Sequence, residues 1–151
     1  MKQVHLECLP DEMVVKTLGI QKRFITHHQG KSRVFHKLKT ENDQLALVDE
    51  DPGTIPTNYE KSLIFIEEKF GIKRYRDQSG NKVLILKVKL EDWIIALCKE
   101  AKVDLKKFNL PDKPDDLHKH INQRLPKFED LIHYLLKTNN PGIEQLKEWL
   151  Q

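Results

Sequence analysis

The chain has 151 residues, 38% hydrophobic and 32% charged, with a formal net charge of +3, which favours one domain with its own core under a heavily charged surface. Its apolar runs fall far short of the roughly 18 residues a membrane span needs, and no basic-then-apolar leader opens it, so secretion is not expected. Cys8 and Cys98 stand far apart, without CxxC spacing and within apolar segments, and read as reduced, buried thiols of a cytoplasmic protein.

In chain order, "KQVHLECL" alternates and predicts a first strand over about residues 2–8. "PDEMVVKTLG" predicts a short helix: Pro10 suits the first turn, acids follow it, and Gly19 is a stop. "KRFITHH", β-branched and aromatic, predicts a second strand, and "GKSRVFHKLKTEN", with Val34, Phe35 and Leu38 at helical spacing, a second helix. "QLALVDED" is apolar until its acids, as in a central parallel strand covered on both faces. Strand-helix-strand-helix-strand in about 50 residues implies βαβ units and a parallel sheet.

After the "PGTIPTN" loop, "YEKSLIFIEEKFG" predicts a helix ended by Gly71. "IKRYRDQSGNKVLILKV" predicts two strands about a Ser-Gly-Asn turn. From Glu91 on, "EDWIIALCKEAK", "PDDLHKHINQRL", "PKFEDLIHYLLKT" and "PGIEQLKEWL" are helical by period, with "NLPDKPDD" a connector. The expected fold class is therefore α/β: a core over residues 1–90 and a helical extension over 91–151 packed on it as a single structural unit.

The acids carry the chemistry. Ligands of parallel α/β sheets bind outside the carboxyl ends of the strands. The first strand ends at Glu7, with Asp11 four residues on, and the third ends in Asp49-Glu50-Asp51. Side chains alternate along extended chain, so Asp49 and Asp51 are expected on one side and Glu50 on the other. Clustered carboxylates raise each other's pKa unless a cation intervenes, and hard oxygen ligands favour Mg²⁺ or Mn²⁺. The competing reading of "DED" as a helix cap or solubilising turn is the commoner fate of such a tripeptide; its pairing with Glu7 and Asp11 is what favours a metal.

No acid lies between Glu12 and Glu41, a gap that carries seven Lys or Arg and three His. Within it Lys31 and Arg33, at the start of the second helix, are candidates for phosphate. "GKS" at 30–32 is no P-loop, because Ile25 stands where the earlier Gly is needed. Lys87 and Lys89 would alternate on one strand, on the side of Glu91, where Lys89 could stabilise transition-state charge. His118 and His120 do not share a helix face, so zinc is not expected. His27 and His28 end the second strand, and structural roles are the commoner fate of such residues.

"ECLPD" (7–11) followed by "VDEDPG" (48–53) resembles the topoisomerase–primase (Toprim) domain, with Cys8 standing where many members have Gly. "HHQGKSRVFHKL" is similar to the start of that family's second helix. "LKVKLEDWI" and the closing "PGIEQLKEWL" are similar to segments of the nuclease-type members related to overcoming-lysogenization-defect nucleases. The resemblance implies a compact Toprim-like βαβαβ core over about residues 2–95. It also implies Mg²⁺ or Mn²⁺ held by Glu7, Asp49 and Asp51, with Asp11 and Glu91 as further ligands and Asp92 a weaker one. The implied activity is cleavage of nucleic-acid phosphodiesters, with Glu7, Asp49, Asp51 and Lys89 as the catalytic set and DNA or RNA as partner. A non-catalytic module in a nucleic-acid or defence complex is the alternative, with a protein partner. A receiver-like domain is less well matched, because it needs an acidic pair at the end of the first strand, where only Glu7 stands.

Overall fold

The computed structural model describes residues 2–151. The chain is an α/β protein built on one six-stranded mixed sheet. Its strands are β1 (Val4–Leu6), β2 (Ile25–His27), β3 (Leu45–Asp49), β4 (Ile64–Lys69), β5 (Ile72–Arg76) and β6 (Lys82–Leu86). The sheet order is β2-β1-β3-β6-β5-β4. β2, β1, β3 and β6 run parallel, while β5 and β4 add an antiparallel margin.

The helices are α1 (Leu9–Thr17), α2 (Lys31–Thr40), α3 (Asn58–Ser62), α4 (Leu90–Glu100), α5 (Pro114–His120), α6 (Leu125–Lys137) and α7 (Pro141–Trp149). Strand alternation sorts the core into two layers. Val4, Leu6, Leu45, Leu47, Leu84 and Leu86 point into a large cluster shared with α1, α4, α6 and α7. Ala46, Val48, Val83 and Ile85 point the other way, toward Val34, Phe35 and Leu38 of α2 and Tyr59 of α3. β3 is apolar on both faces because helices cover both. The large cluster runs without interruption from β1 through Phe128, Leu135 and Trp149, so the C-terminal helices share the core of the sheet. Leu110 and Leu117 pin the 109–116 connector and α5 into the same cluster.

One expected element is different. The helix expected from Tyr59 to Gly71 is a five-residue α3 followed by strand β4. Leu63-Ile64-Phe65-Ile66 is a β-branched and aromatic run that fits a pleated surface better than a helix. Phe70 and Gly71 both have positive φ (52° and 74°), the tight turn that joins antiparallel strands. The indole N–H of Trp93 donates to the Phe70 carbonyl at 2.7 Å and clamps that turn. A Cβ on Gly71 would lie 3.1 Å from the Trp93 ring, so glycine serves there both for its φ and for its size. At the other end, Asp77 accepts from the backbone N–H groups of Ser79 and Asn81, and from the Asn81 amide and the Tyr59 hydroxyl. That knot closes the turn between β5 and β6.

Candidate metal centre

The carboxyl ends of β1, β3 and β6 meet the first turns of α1 and α4. Glu7 follows β1, and its Oε1 accepts from the Asp49 backbone N–H at 3.0 Å. Asp49 closes β3, and its Oδ1 accepts from Leu90 N–H at 2.9 Å. Lys89 supplies no side-chain cap to α4, so Asp49 caps that helix from across the sheet. The path from β6 into α4 is forced: Val88 has φ +64°, costly for a β-branched residue. Glu50 Oε1 accepts from Val88 N–H, and the Val88 carbonyl accepts from Asp51 N–H. The β3 exit loop thus holds the strained residue that aims the α4 amides at Asp49.

Asp11 and Glu91 complete the cluster from the first turns of α1 and α4, and both are buried. Asp11 Oδ2 accepts from the Cys8 thiol at 3.0 Å, while its Oδ1 is buried and has no partner. Glu91 Oε1 lies 3.0 Å from Nδ1 of His118 on α5. Asp51 adopts φ +48° and adds its charge to the field at Glu7 and Asp49.

The electrostatics follow from this crowding. Burial, then the negative charges of Asp11, Glu7, Glu91 and Asp51, push the Asp49 carboxyl up to about 8. Burial raises Asp11 to about 7, with Glu7 and Glu91 adding to it against the Cys8 hydrogen bond. Burial also raises Glu7, opposed by the Asp49 N–H and by Lys31, and reinforced by Asp51 and Glu91. Burial and Asp11 likewise push the Cys8 thiol up, so it is a packed donor and no nucleophile.

Of the five acids expected as ligands, Glu7, Asp11, Asp51 and Glu91 therefore all lie within electrostatic reach of the fifth, Asp49. In donor chemistry and charge they fit a hard divalent cation, and the unpartnered Asp11 Oδ1 is an oxygen such an ion would satisfy. In the arrangement described, four of these side chains are turned toward protein donors. Among the described residues no three His, Cys, Asp or Glu side chains stand together as a ready-made metal group.

The lysines and Arg33 fall elsewhere. β6 ends at Leu86, and positive φ at Val88 breaks the alternation expected of Lys87 and Lys89. Lys89 is exposed, with its charge felt at Asp92. Lys31 Nζ pairs with Glu60 at 2.8 Å and donates to the Glu50 carbonyl at 3.1 Å, only 14% exposed. Arg33 is exposed; burial, with the nearby cations Lys37 and Arg33 adding to it, lowers the His28 pKa. A cleft of about 300 Å³ lies between the start of α2 and the loop after β3, lined among others by Lys31, Ser32, Asp51, Thr54 and Thr57.

Three partnerships carry no local sequence signal. His118 reaches Glu91 from 27 residues away, Lys73 pairs with Glu50 at 2.5 Å, and His5 bridges His28 and Gln44. Gln44 Oε1 accepts from His5 Nε2–H, which leaves His5 Nδ1 to accept from His28 Nε2–H. Among the described residues no helix is long and apolar enough to cross a membrane. No family model, curated protein or solved structure matches the chain.

Proposed function

We propose that this protein is a Toprim-type, Mg²⁺- or Mn²⁺-dependent nuclease acting on nucleic-acid phosphodiesters in the cytoplasm. The observation that carries the reading is the convergence of Glu7, Asp11, Asp49, Asp51 and Glu91 at the carboxyl edge of the parallel strands, with Asp11 Oδ1 buried and unpartnered. Glu7, Asp49 and Asp51 would hold the ion, with Asp11 and Glu91 beside them. Bound there, a divalent ion supplies an activated water and neutralises charge developing on a phosphoryl oxygen.

The chain's own residues do the rest. The Asp49–Leu90 and Glu7–Asp49 bonds tie one oxygen of each carboxylate to the start of α4 and the end of β3, so an ion would take their other oxygens, with the side chains turning toward it. The cleft beside Asp51 offers the Ser32 and Thr57 hydroxyls to a phosphate. Arg33 and Lys37 on the exposed face of α2 attract the flanking strand. The free thiols Cys8 and Cys98 accord with a reducing compartment.

Calorimetric titration with Mn²⁺, paired with nicking of supercoiled plasmid and cleavage of single-stranded RNA, tests the proposal. Metal binding and cutting that Asp49→Asn abolishes are expected; absence of both from the parent protein overturns the reading. One set of observations favours the second reading, a non-catalytic nucleic-acid-binding module: Glu91 is taken by His118 and Lys31 by Glu60. That module would bind nucleic acid with the same salt dependence, with no response to metal.

A further inference from the structure

The buried acids at the carboxyl edge are short of counter-charge. Asp11 is 1% exposed and Glu91 5%. Among the described residues no Lys or Arg forms an ion pair with Glu7, Asp11, Asp49 or Glu91. The basic side chain that does reach them is His118, whose Nδ1 lies 3.0 Å from Glu91 Oε1. Its position is set by the fold: the preceding residue, Leu117, is fully buried in the core and anchors α5. The His118 side chain itself is 63% exposed, so an ion from solvent can reach the ring. Asp11 feels the charge of Glu91, and its Oδ1 is buried without a partner. A ring nitrogen, a carboxylate and an orphaned oxygen thus come to one end of the sheet from α5, α4 and α1.

We propose that His118 is a nitrogen ligand of the divalent ion, shared with Glu91 and Asp11, and that this nitrogen makes the centre select Mn²⁺ over Mg²⁺. The inference rests on the metal reading above and narrows it. Two donors at about 2.1 Å from an octahedral ion, at right angles to each other, stand about 3 Å apart. Nδ1 and Oε1 already have that separation. The ion takes the place of the proton that Nδ1 donates to Oε1, and the ring carries its proton on Nε2 instead. A singly charged ring leaves most of the clustered negative charge uncompensated, whereas a dication shared by the three residues offsets it.

The nitrogen decides the choice of ion. Mg²⁺ and Ca²⁺ take oxygen ligands, while imidazole suits first-row transition ions, so carboxylates alone serve Mg²⁺ and a mixed set favours Mn²⁺. His120 takes no part, because residues two apart on a helix do not share a face.

Calorimetric titration of the full chain with Mn²⁺ and with Mg²⁺ should show tighter binding of Mn²⁺. His118→Ala should weaken Mn²⁺ binding at least about tenfold and leave Mg²⁺ binding little changed, so that the preference disappears. The exposed His120 supplies the control: His120→Ala should change neither. Pulsed electron paramagnetic resonance of bound Mn²⁺ should show a directly coordinated nitrogen in the parent and in His120→Ala, and none in His118→Ala. The nitrogen signal is read on the parent chain, so it decides the matter even where His118→Ala fails to fold. Mn²⁺ bound without that signal overturns the inference and leaves the metal reading standing. Equal loss of both ions in a folded His118→Ala overturns it too, since His118 then only orients Glu91. A parent that binds neither ion overturns the metal reading and this inference together.

Discussion

Asp49 Oδ1 accepts the Leu90 amide at the start of α4 while its own backbone N–H donates to Glu7 Oε1. One residue is thus a helix cap, a strand terminus and the centre of an acidic cluster. Its substitutions separate these roles. Asp49→Asn keeps the acceptor for Leu90 and removes the charge, so in metal-free buffer at pH 8 it should be at least as stable as the parent. Asp49→Ala loses the cap as well and should be less stable than Asp49→Asn by about 1 kcal/mol. Urea denaturation of the three proteins checks the order, and neither variant should gain stability from Mn²⁺.

The raised carboxyls set a pH dependence. Asp49 at about 8 and Asp11 at about 7 lie above the roughly 4 of an unfolded aspartate. Between those values the folded chain binds more protons than the unfolded one, so stability falls as pH rises. Their contribution is complete below pH ~4 and is lost as pH climbs through 7 to 8. Denaturation midpoints in chelator should fall from pH 5 to pH 9. With Mn²⁺ the gap from the chelator curve should widen with pH, because the ion competes with protons for the same oxygens.

Asp77 behaves in the opposite sense. Burial would raise its pKa, yet hydrogen bonds from Asn81, Tyr59 and the Asn81 and Ser79 amides outweigh burial and hold it low. Its contribution is present above the unfolded pKa and is lost as pH falls through the folded one. Tyr59→Phe removes the 2.7 Å bond to Asp77 and should cost about 1–3 kcal/mol at pH 7. As pH falls through the lowered pKa and Asp77 takes up its proton, the difference should shrink. Parallel urea titrations at pH 7 and at successively lower pH measure it.

Charge reversal distinguishes the two basic residues at the start of α2. Lys31→Glu places an acid against Glu60 in a mostly buried site and should lower the melting temperature. Arg33→Glu, on the exposed face, should leave it unchanged. Arg33→Glu should weaken nucleic-acid binding across all sequences and flatten its salt dependence. Fluorescence anisotropy at several salt concentrations, alongside thermal melts, reads both effects.

The sequence by itself determined the βαβαβ order, the C-terminal helices and the identity of the acids. Those features rest on periods of 2 and 3.6 and on punctuation such as Pro10, Gly19 and Pro141, which act over a few residues. It also marked Glu7 and Asp49 as strand ends, since apolar runs stop there. Segment 64–69 was not legible, because a short apolar run satisfies helix and strand alike until a pairing partner arbitrates. Only the tertiary structure supplied that partner, β5, and with it an exposed apolar edge. It also decided where each carboxylate turns: Asp49 to the α4 amide, Asp11 to Cys8, Glu91 to His118, Glu50 to Lys73. These partners lie 3 to 41 residues apart along the chain. Their meeting depends on burial and on parallel crossovers, which bring distant positions together, and no local pattern encodes that distance.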